Sequence, residues 1–290
     1  MSTAAARFVV TAASGQLGRL VVAALATRVG AADVVAVVRD PAAAAALFPA
    51  GVTVRHGDYE KPETLDAAFA GAERLLLISS NAVGARVAQH RNAIEAAAQS
   101  RLTRIAYTSV LHADRSALRL AGEHRETEAL IAESGLAYSL LRNGWYSENY
   151  AASIAPALQH GAFIGSAGEG RISGAARIDY AEAAAIALVE DEGAAVIHEL
   201  AGDDAFTLAG FADELSRQSG RDIPYVDMPE GEYRAALVGA GLPEPFAALL
   251  ADSDAGAAKG ALFDGSGALG RLIGRPTTPV AETIAATLKR

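Results

Sequence analysis

The residues best equipped for chemistry stand at the ends of short apolar runs. Ser79-Ser80 follows Leu75–Ile78, Tyr107-Thr108-Ser109 closes the run that begins at Arg104, and Arg142-Asn143-Gly144-Trp145-Tyr146 follows Tyr138–Leu141. What the chain lacks narrows the chemistry. It has no cysteine, which removes thiolate nucleophiles, disulfides and Cys-ligated zinc together. No Gly-x-Ser-x-Gly elbow follows a strand, since Gly265-Ser266-Gly267 lies in a stretch that reads as helix or loop. His90 and His112 are isolated, and Asp252-Ser253-Asp254 lacks the rest of a calcium loop, so no metal site is expected.

The elements that must position these residues alternate in a regular way. Apolar runs at Phe8–Thr11, Val34–Val38, Val52–Arg55, Leu75–Ile78, Arg104–Thr108 and Tyr138–Leu141 predict strands. Between them, Gln16–Ala26, Ala42–Phe48, Pro62–Phe69, Val83–Gln99 and His124–Ser134 predict helices, with Asp40-Pro41 as cap and first helical residue of one and Ser134-Gly135 as the stop of another. Fully apolar strands separated by helices imply an α/β fold: a Rossmann-type, doubly wound parallel sheet. After about residue 150 the rhythm loosens. A helix at Tyr180–Glu190, a strand at Val196–Leu200, a helix from Leu208 to Ser219, a strand near Ile223–Val226 and mostly helical chain from Glu230 follow. The expected organisation is a nucleotide-binding domain over residues 1–150 and a smaller, mostly helical C-terminal lobe over 151–290, some of whose segments can return to the main sheet.

Ligands bind open α/β sheets beyond the carboxyl ends of the strands. There, Ala12-Ala13-Ser14-Gly15-Gln16-Leu17-Gly18 reads as tight turn and helix start after an apolar strand. Gly15 would let backbone amides approach a pyrophosphate at the positive end of the helix, and Gly18 would let the helix pack closely on the sheet. Ala12 occupies the first position of the expected glycine pattern; a positive φ there would cost on the order of 1 kcal/mol. About 20 residues on, where ribose recognition occurs, the second strand ends in Arg39 rather than an acid. A guanidinium suits a 2′-phosphate, so the cofactor reads as NADPH, with Asp40 left to cap the next helix. Asp58 could line the adenine pocket or simply cap its turn.

No Tyr-x-x-x-Lys pair stands in this region to protonate an alkoxide: Leu111 stands four residues after Tyr107, and Leu120 four before His124. Reducing a quinone leaves only a phenolate-like anion, comparable to tyrosine with a pKa near ~10, and needs far less help from an acid. A site without that pair therefore suits an acceptor that is already electrophilic, with the protein mainly placing the nicotinamide against it.

The segments Thr11–Gly18, Val37–Pro41, Leu75–Ser80 and Ala106–Asp114 resemble the NmrA-like atypical short-chain dehydrogenases. Leu140–Tyr150, Leu250–Asp254 and Leu272–Thr278 are similar to the bacterial type 2 NADPH:quinone oxidoreductases within that group. The resemblance implies cofactor contacts at the Ala12–Leu17 turn, at Arg39, near Ser79 and Ser80, and along Asn143, Gly144, Trp145, Tyr146, Ser147 and Glu148. It places Asn143 near the nicotinamide, and Tyr146 and Trp145 beside a quinone, so Asn143 and Tyr146 are the catalytic candidates. Tyr107, His112 and His124 are weaker ones: Tyr107 could equally be packed between helices, His112 could cap a loop, and His124 could belong to a solvated helical turn. Tyr225, Phe246 and Phe263 could form an acceptor wall or pack in a core.

Two rivals stay open: the same chemistry on triphenylmethane dyes, and a non-catalytic redox sensor that binds the dinucleotide. The net charge of −9 argues against nucleic acid as a partner, and no apolar run suggests a membrane span. With no signal peptide visible and no cysteine, the expected compartment is the cytoplasm. Whether the chain forms a homo-oligomer is left open.

Overall fold

The computed structural model describes residues 8–190 and 193–289. In chain order its strands are β1 (Phe8–Val10), β2 (Val34–Val38), β3 (Thr53–His56), β4 (Arg74–Leu77), β5 (Arg104–Val110), β6 (Ala137–Asn143), β7 (Phe163–Gly165), β8 (Ala195–Leu200) and β9 (Tyr225–Asp227). Seven of them form one sheet in the order β3-β2-β1-β4-β5-β6-β8. Neighbours from β3 to β6 pair in parallel, and Tyr138 N–H to Ala194 O and Gly144 N–H to Leu200 O carry the ladder on to β8. This is the Rossmann-type α/β architecture expected from the alternation. The strand order reverses between β1 and β4, which opens a crevice at their carboxyl ends.

By contacts the chain divides into two compact units, each assembled from separate stretches. Of the described residues, the first comprises 8–113, 122–143, 177–190 and 193–198, and the second 114–121, 144–176 and 199–289.

In the first unit, β2 is buried along its whole length, as a strand covered on both faces must be. Val9, Val35, Val37, Leu75, Leu77, Ile105 and Tyr107, alternate residues of neighbouring strands, pack with Leu65 and Phe69 and with Ala93, Ile94 and Ala97 of the helix Arg86–Gln99. The helices Gln16–Val29 and Arg177–Val189 pack against each other, and the latter also covers β4, β5 and β6. Buried Ala181, Ala183, Ala184, Ala185 and Ala187 permit that close approach, which explains what so much alanine does in this chain.

The second unit pairs β7 with β9 in parallel and is otherwise mostly helical. The helix Leu208–Ser219 coincides with the stretch the sequence predicts, capped by Thr207 through its bond from Gly210 N–H. Strand β7 has no counterpart among the predicted elements: three residues are too few to display a period. Phe206, Phe211, Phe163 and Tyr150 cluster beside it.

Asp254, on the helix Glu244–Ala257, accepts the Tyr150 hydroxyl proton at 2.9 Å and the Ser166 N–H at 3.0 Å. Burial outweighs these bonds and pushes its carboxyl up to about 6. The unfolded chain holds an Asp near ~3.9, so the folded state takes up a proton. The stability this confers is complete below the unfolded value and is lost as pH rises through the folded one. Asp254→Asn is therefore expected to gain, relative to the native chain, roughly 2–3 kcal/mol between about pH 4 and pH 7. Urea unfolding at each pH measures it, and a difference that stays flat would remove the assignment.

Candidate functional site

At the crevice, β1 runs into a turn anchored on both sides. Thr11 N–H and Oγ1–H donate to Leu76 O at 3.1 and 2.9 Å, while Ala13 N–H donates to Val37 O at 3.1 Å. Held between β2 and β4, Ala12 is forced to φ +47°, the left-handed region. The positive φ considered for this position from the sequence is thus present. Ala12→Gly is expected to raise unfolding stability by about 1 kcal/mol, seen as a higher Tm; no gain would mean that the turn relaxes around alanine at no cost.

The turn delivers the chain into the 14-residue helix Gln16–Val29. Gly15 caps it with no side-chain bond, and its first turn carries no acid, so the helix's first N–H groups and positive end are left for an anion. A Cβ on Gly18 would lie 2.5 Å from Ala12 O and 2.7 Å from Ala13 Cα, so only glycine lets helix and turn approach this closely. These features fit a dinucleotide pyrophosphate.

A cleft of about 410 Å³ lies there, entirely within the first unit. Ala12, Ser14, Gly15, Gln16, Leu17, Gly18, Arg39, Asp58, Ser79 and Ser80 line it, together with Tyr59, Glu60, Asn81, Ala82 and Gln89 from the adjoining segments. Ala13 is fully buried beneath the turn and contributes no wall. Arg39 is exposed at the end of β2, its carbonyl 2.9 Å from His56 Nδ1. Asp40 accepts Ala43 N–H at 3.1 Å as helix cap. Asp58 accepts Glu60 N–H at 3.1 Å, so it caps its turn and borders the cleft at once. The Tyr59 hydroxyl, 2.5 Å from Thr11 Oγ1 and 2.9 Å from Ile78 O, ties the ends of β1, β3 and β4 together.

Beyond β4 the polar residues are held by one another. Tyr107 and His124 are buried, with the hydroxyl 2.7 Å from Nδ1, and neither lines the cleft. Burial raises the Tyr107 phenol above its ordinary value and lowers the His124 imidazole well below its own, so both stay neutral. His112 follows β5 at φ +53° and is buried. Asn143 ends β6, buried, and its carbonyl accepts Leu111 N–H at 2.9 Å. Just before it, Arg142 donates to both oxygens of Glu128, at 3.0 and 2.7 Å, and the Ser109 hydroxyl donates to the same carboxylate at 2.6 Å. Glu128 carries no signal in the sequence, because a buried charge on a helix looks like a solvated one until its partner strand is in place.

In the second unit, Gly144 to Glu148 lead into the helix Ser147–Ala151. Trp145 and Ser147 are buried, Tyr146 and Glu148 half-buried. The segment is braced by Ala175, whose N–H donates to Trp145 O at 3.2 Å and whose carbonyl accepts Ser147 N–H at 2.9 Å. Of the aromatics considered for an acceptor wall, Tyr225 donates to Asp227 at 2.7 Å, Phe246 is exposed, and Phe263 lies 4.3 Å under the Arg171 guanidinium.

Residues 12–191 match the model of an NAD(P)H-binding family. Quinone oxidoreductase 2 of Escherichia coli is 53% identical over 275 residues, which is 95% of this chain and 96% of that protein. The structure of that NADPH-dependent quinone oxidoreductase with NADPH bound covers 97% of this chain and 99% of its own, with 52% identity and a TM-score of 0.94. The triphenylmethane reductase of Citrobacter sp. in complex with NADP(H) is 36% identical, covers 97% of this chain and 99% of its own, and has a TM-score of 0.91. This chain belongs to the NAD(P)H-binding, NmrA-like family of atypical short-chain reductases that includes quinone oxidoreductase 2.

Proposed function

We propose that this protein is an NADPH-dependent reductase that delivers a hydride directly to quinones. The observation that carries the reading is a cleft at the sheet's switch point, with an uncapped helix N-terminus and an exposed arginine at its rim, in a chain similar over nearly its whole length to a quinone oxidoreductase. When bound there, the reduced nicotinamide supplies the hydride. In this reading the backbone amides of the Ala12–Leu17 turn hold the pyrophosphate and Arg39 holds the 2′-phosphate. Ser79, Ser80 and the Asn143–Glu148 segment complete the cofactor site, with Asn143 near the nicotinamide and Tyr146 and Trp145 bordering the acceptor. The Tyr107 phenol keeps its proton under burial and has no lysine to lower it, which favours acceptors whose reduced form needs no strong acid.

A second acceptor class is favoured by one specific observation, the likeness to triphenylmethane reductase: a cationic dye is also an electrophile ready for hydride. Action in the cytoplasm is part of the proposal, resting on the cysteine-free composition. Among the described residues no helix is long and apolar enough to cross a membrane. Mixing the purified protein with NADPH and 1,4-benzoquinone, and following the absorbance of the reduced cofactor, tests the function. Saturable oxidation that collapses in Asn143→Ala is the expected result. Tight NADPH binding with no oxidation by any quinone or dye would replace the enzyme with a redox sensor.

A further inference from the structure

The loop after β4, which lines the cleft, is gripped by a closed ring of side chains. Ser80 N–H donates to His90 Nε2 at 2.9 Å, Ser80 O accepts from Arg86 Nε at 2.7 Å, and the Ser80 hydroxyl donates to Gln89 Oε1. Arg86, Gln89 and His90 stand at i, i+3 and i+4 on the helix Arg86–Gln99, so one helix face presents all three. The ring closes through the helix Ala121–Glu133. His90 Nδ1 lies 3.0 Å from Thr127 Oγ1, the Thr127 hydroxyl donates to Glu123 O at 2.8 Å, and the Glu123 carboxylate pairs with Arg86 at 3.3 Å. The same carboxylate accepts Gly84 N–H at 2.9 Å, at the far end of the loop.

The hydrogen bonds run in one consistent direction. An amide N–H can only donate, so His90 Nε2 accepts and Nδ1 carries the imidazole proton. Thr127 receives that proton because its own goes to Glu123. Burial, reinforced by the Arg86 charge, lowers His90 to about 3, so the ring stays neutral and its Nε2 lone pair stays available. Both His90 and Thr127 are fully buried, and neither touches the cleft.

We propose that His90 is a positioning residue for NADPH, holding the Ser79–Ala82 loop, through Ser80, in the conformation that completes the cofactor cleft. The inference rests on the proposed function. A loop held in place beforehand spares the binding step the entropy of ordering it. The same helix steadies the facing wall: Gln89 Nε2 donates to Glu60 at 3.0 Å and Asn92 Nδ2 to Tyr59 O at 2.8 Å.

The experiment combines amide hydrogen exchange over Ser79–Ala82 without nucleotide, an NADPH titration followed by cofactor fluorescence, and steady-state kinetics with 1,4-benzoquinone. His90→Leu removes the acceptor and is expected to speed exchange in the loop and raise the NADPH Kd about tenfold, with the KM for 1,4-benzoquinone unchanged. His90→Gln offers Oε1 to Ser80 and Nε2–H to Thr127, and is expected to restore most of the affinity. Thr127→Val releases the other side of the imidazole and gives the same changes by a smaller factor, which keeps the test decisive should His90→Leu not fold. Unchanged exchange and Kd in His90→Leu and Thr127→Val overturn the inference alone, and so does an equal loss in His90→Gln and His90→Leu. No NADPH binding by the unaltered protein overturns the proposed function and takes the inference with it.

Discussion

Arg39→Ala is expected to raise the Kd for NADPH about ten- to hundredfold while leaving that for NADH within about twofold. The two cofactors differ only at the ribose 2′ position, so the ratio of the two affinities isolates the phosphate. Arg39 sits at the carboxyl end of β2, exposed and on the rim of the cleft. Its neighbour Asp40, which could have repelled a phosphate or bound a ribose hydroxyl, is engaged as a helix cap. A charge-assisted bond to a phosphate is worth about 1.5–3 kcal/mol, which sets the size of the effect. Lysine at this position would keep the charge but lose the planar fork, and should recover only part of the selectivity. Isothermal titration with both cofactors measures it; equal loss for the two would strip Arg39 of the 2′-phosphate role.

Glu128→Ala should be the most destabilising single change in the first unit's polar interior, costing about 3–5 kcal/mol. Arg142 and Glu128 are each nearly buried, and the guanidinium donates twice to the carboxylate. Deleting the acid removes both of these guanidinium bonds and the acceptor of the Ser109 hydroxyl. The Arg217–Glu214 pair has similar geometry, but its arginine is exposed and its glutamate only half-buried, so Glu214→Ala should cost about 1 kcal/mol or less. Because Arg142 immediately precedes Asn143, turnover should fall in any Glu128→Ala protein that still folds. Urea unfolding of the two variants side by side gives the comparison. A Glu128→Ala loss no larger than that of Glu214→Ala would show that β6 is held by its ladder alone.

Much of the nucleotide-binding unit was legible before any coordinates. Apolar runs mark β1 to β6 to within a residue or two, most clearly at β1, β2 and β4, because a strand buried on both faces has to be apolar; the edge strand β3, partly exposed, gives the weaker pattern. The tight turn between β1 and the helix Gln16–Val29 is legible too, from its small residues and its place after the first strand. The Asp40-Pro41 cap was equally local.

What escaped the sequence is what depends on distant partners. The sequence allows a later segment to return to the main sheet, and the ladder with β6, more than fifty residues upstream, decides that it is Ala195–Leu200. The charge of Glu128 and the imidazole of His90 acquire roles only when a second helix or strand closes on them. Alanine at position 12 is the sharpest case. Its identity posed the question of strain, but the left-handed φ is imposed by hydrogen bonds to β2 and β4, which no local pattern encodes. Residue type and spacing along single segments are enough for the fold class and for the tight turn that opens the helix Gln16–Val29, since both follow from local pattern. The pairing of Glu128 with Arg142 and of His90 with Ser80 exists only in the tertiary structure, because those energies come from contacts between distant segments.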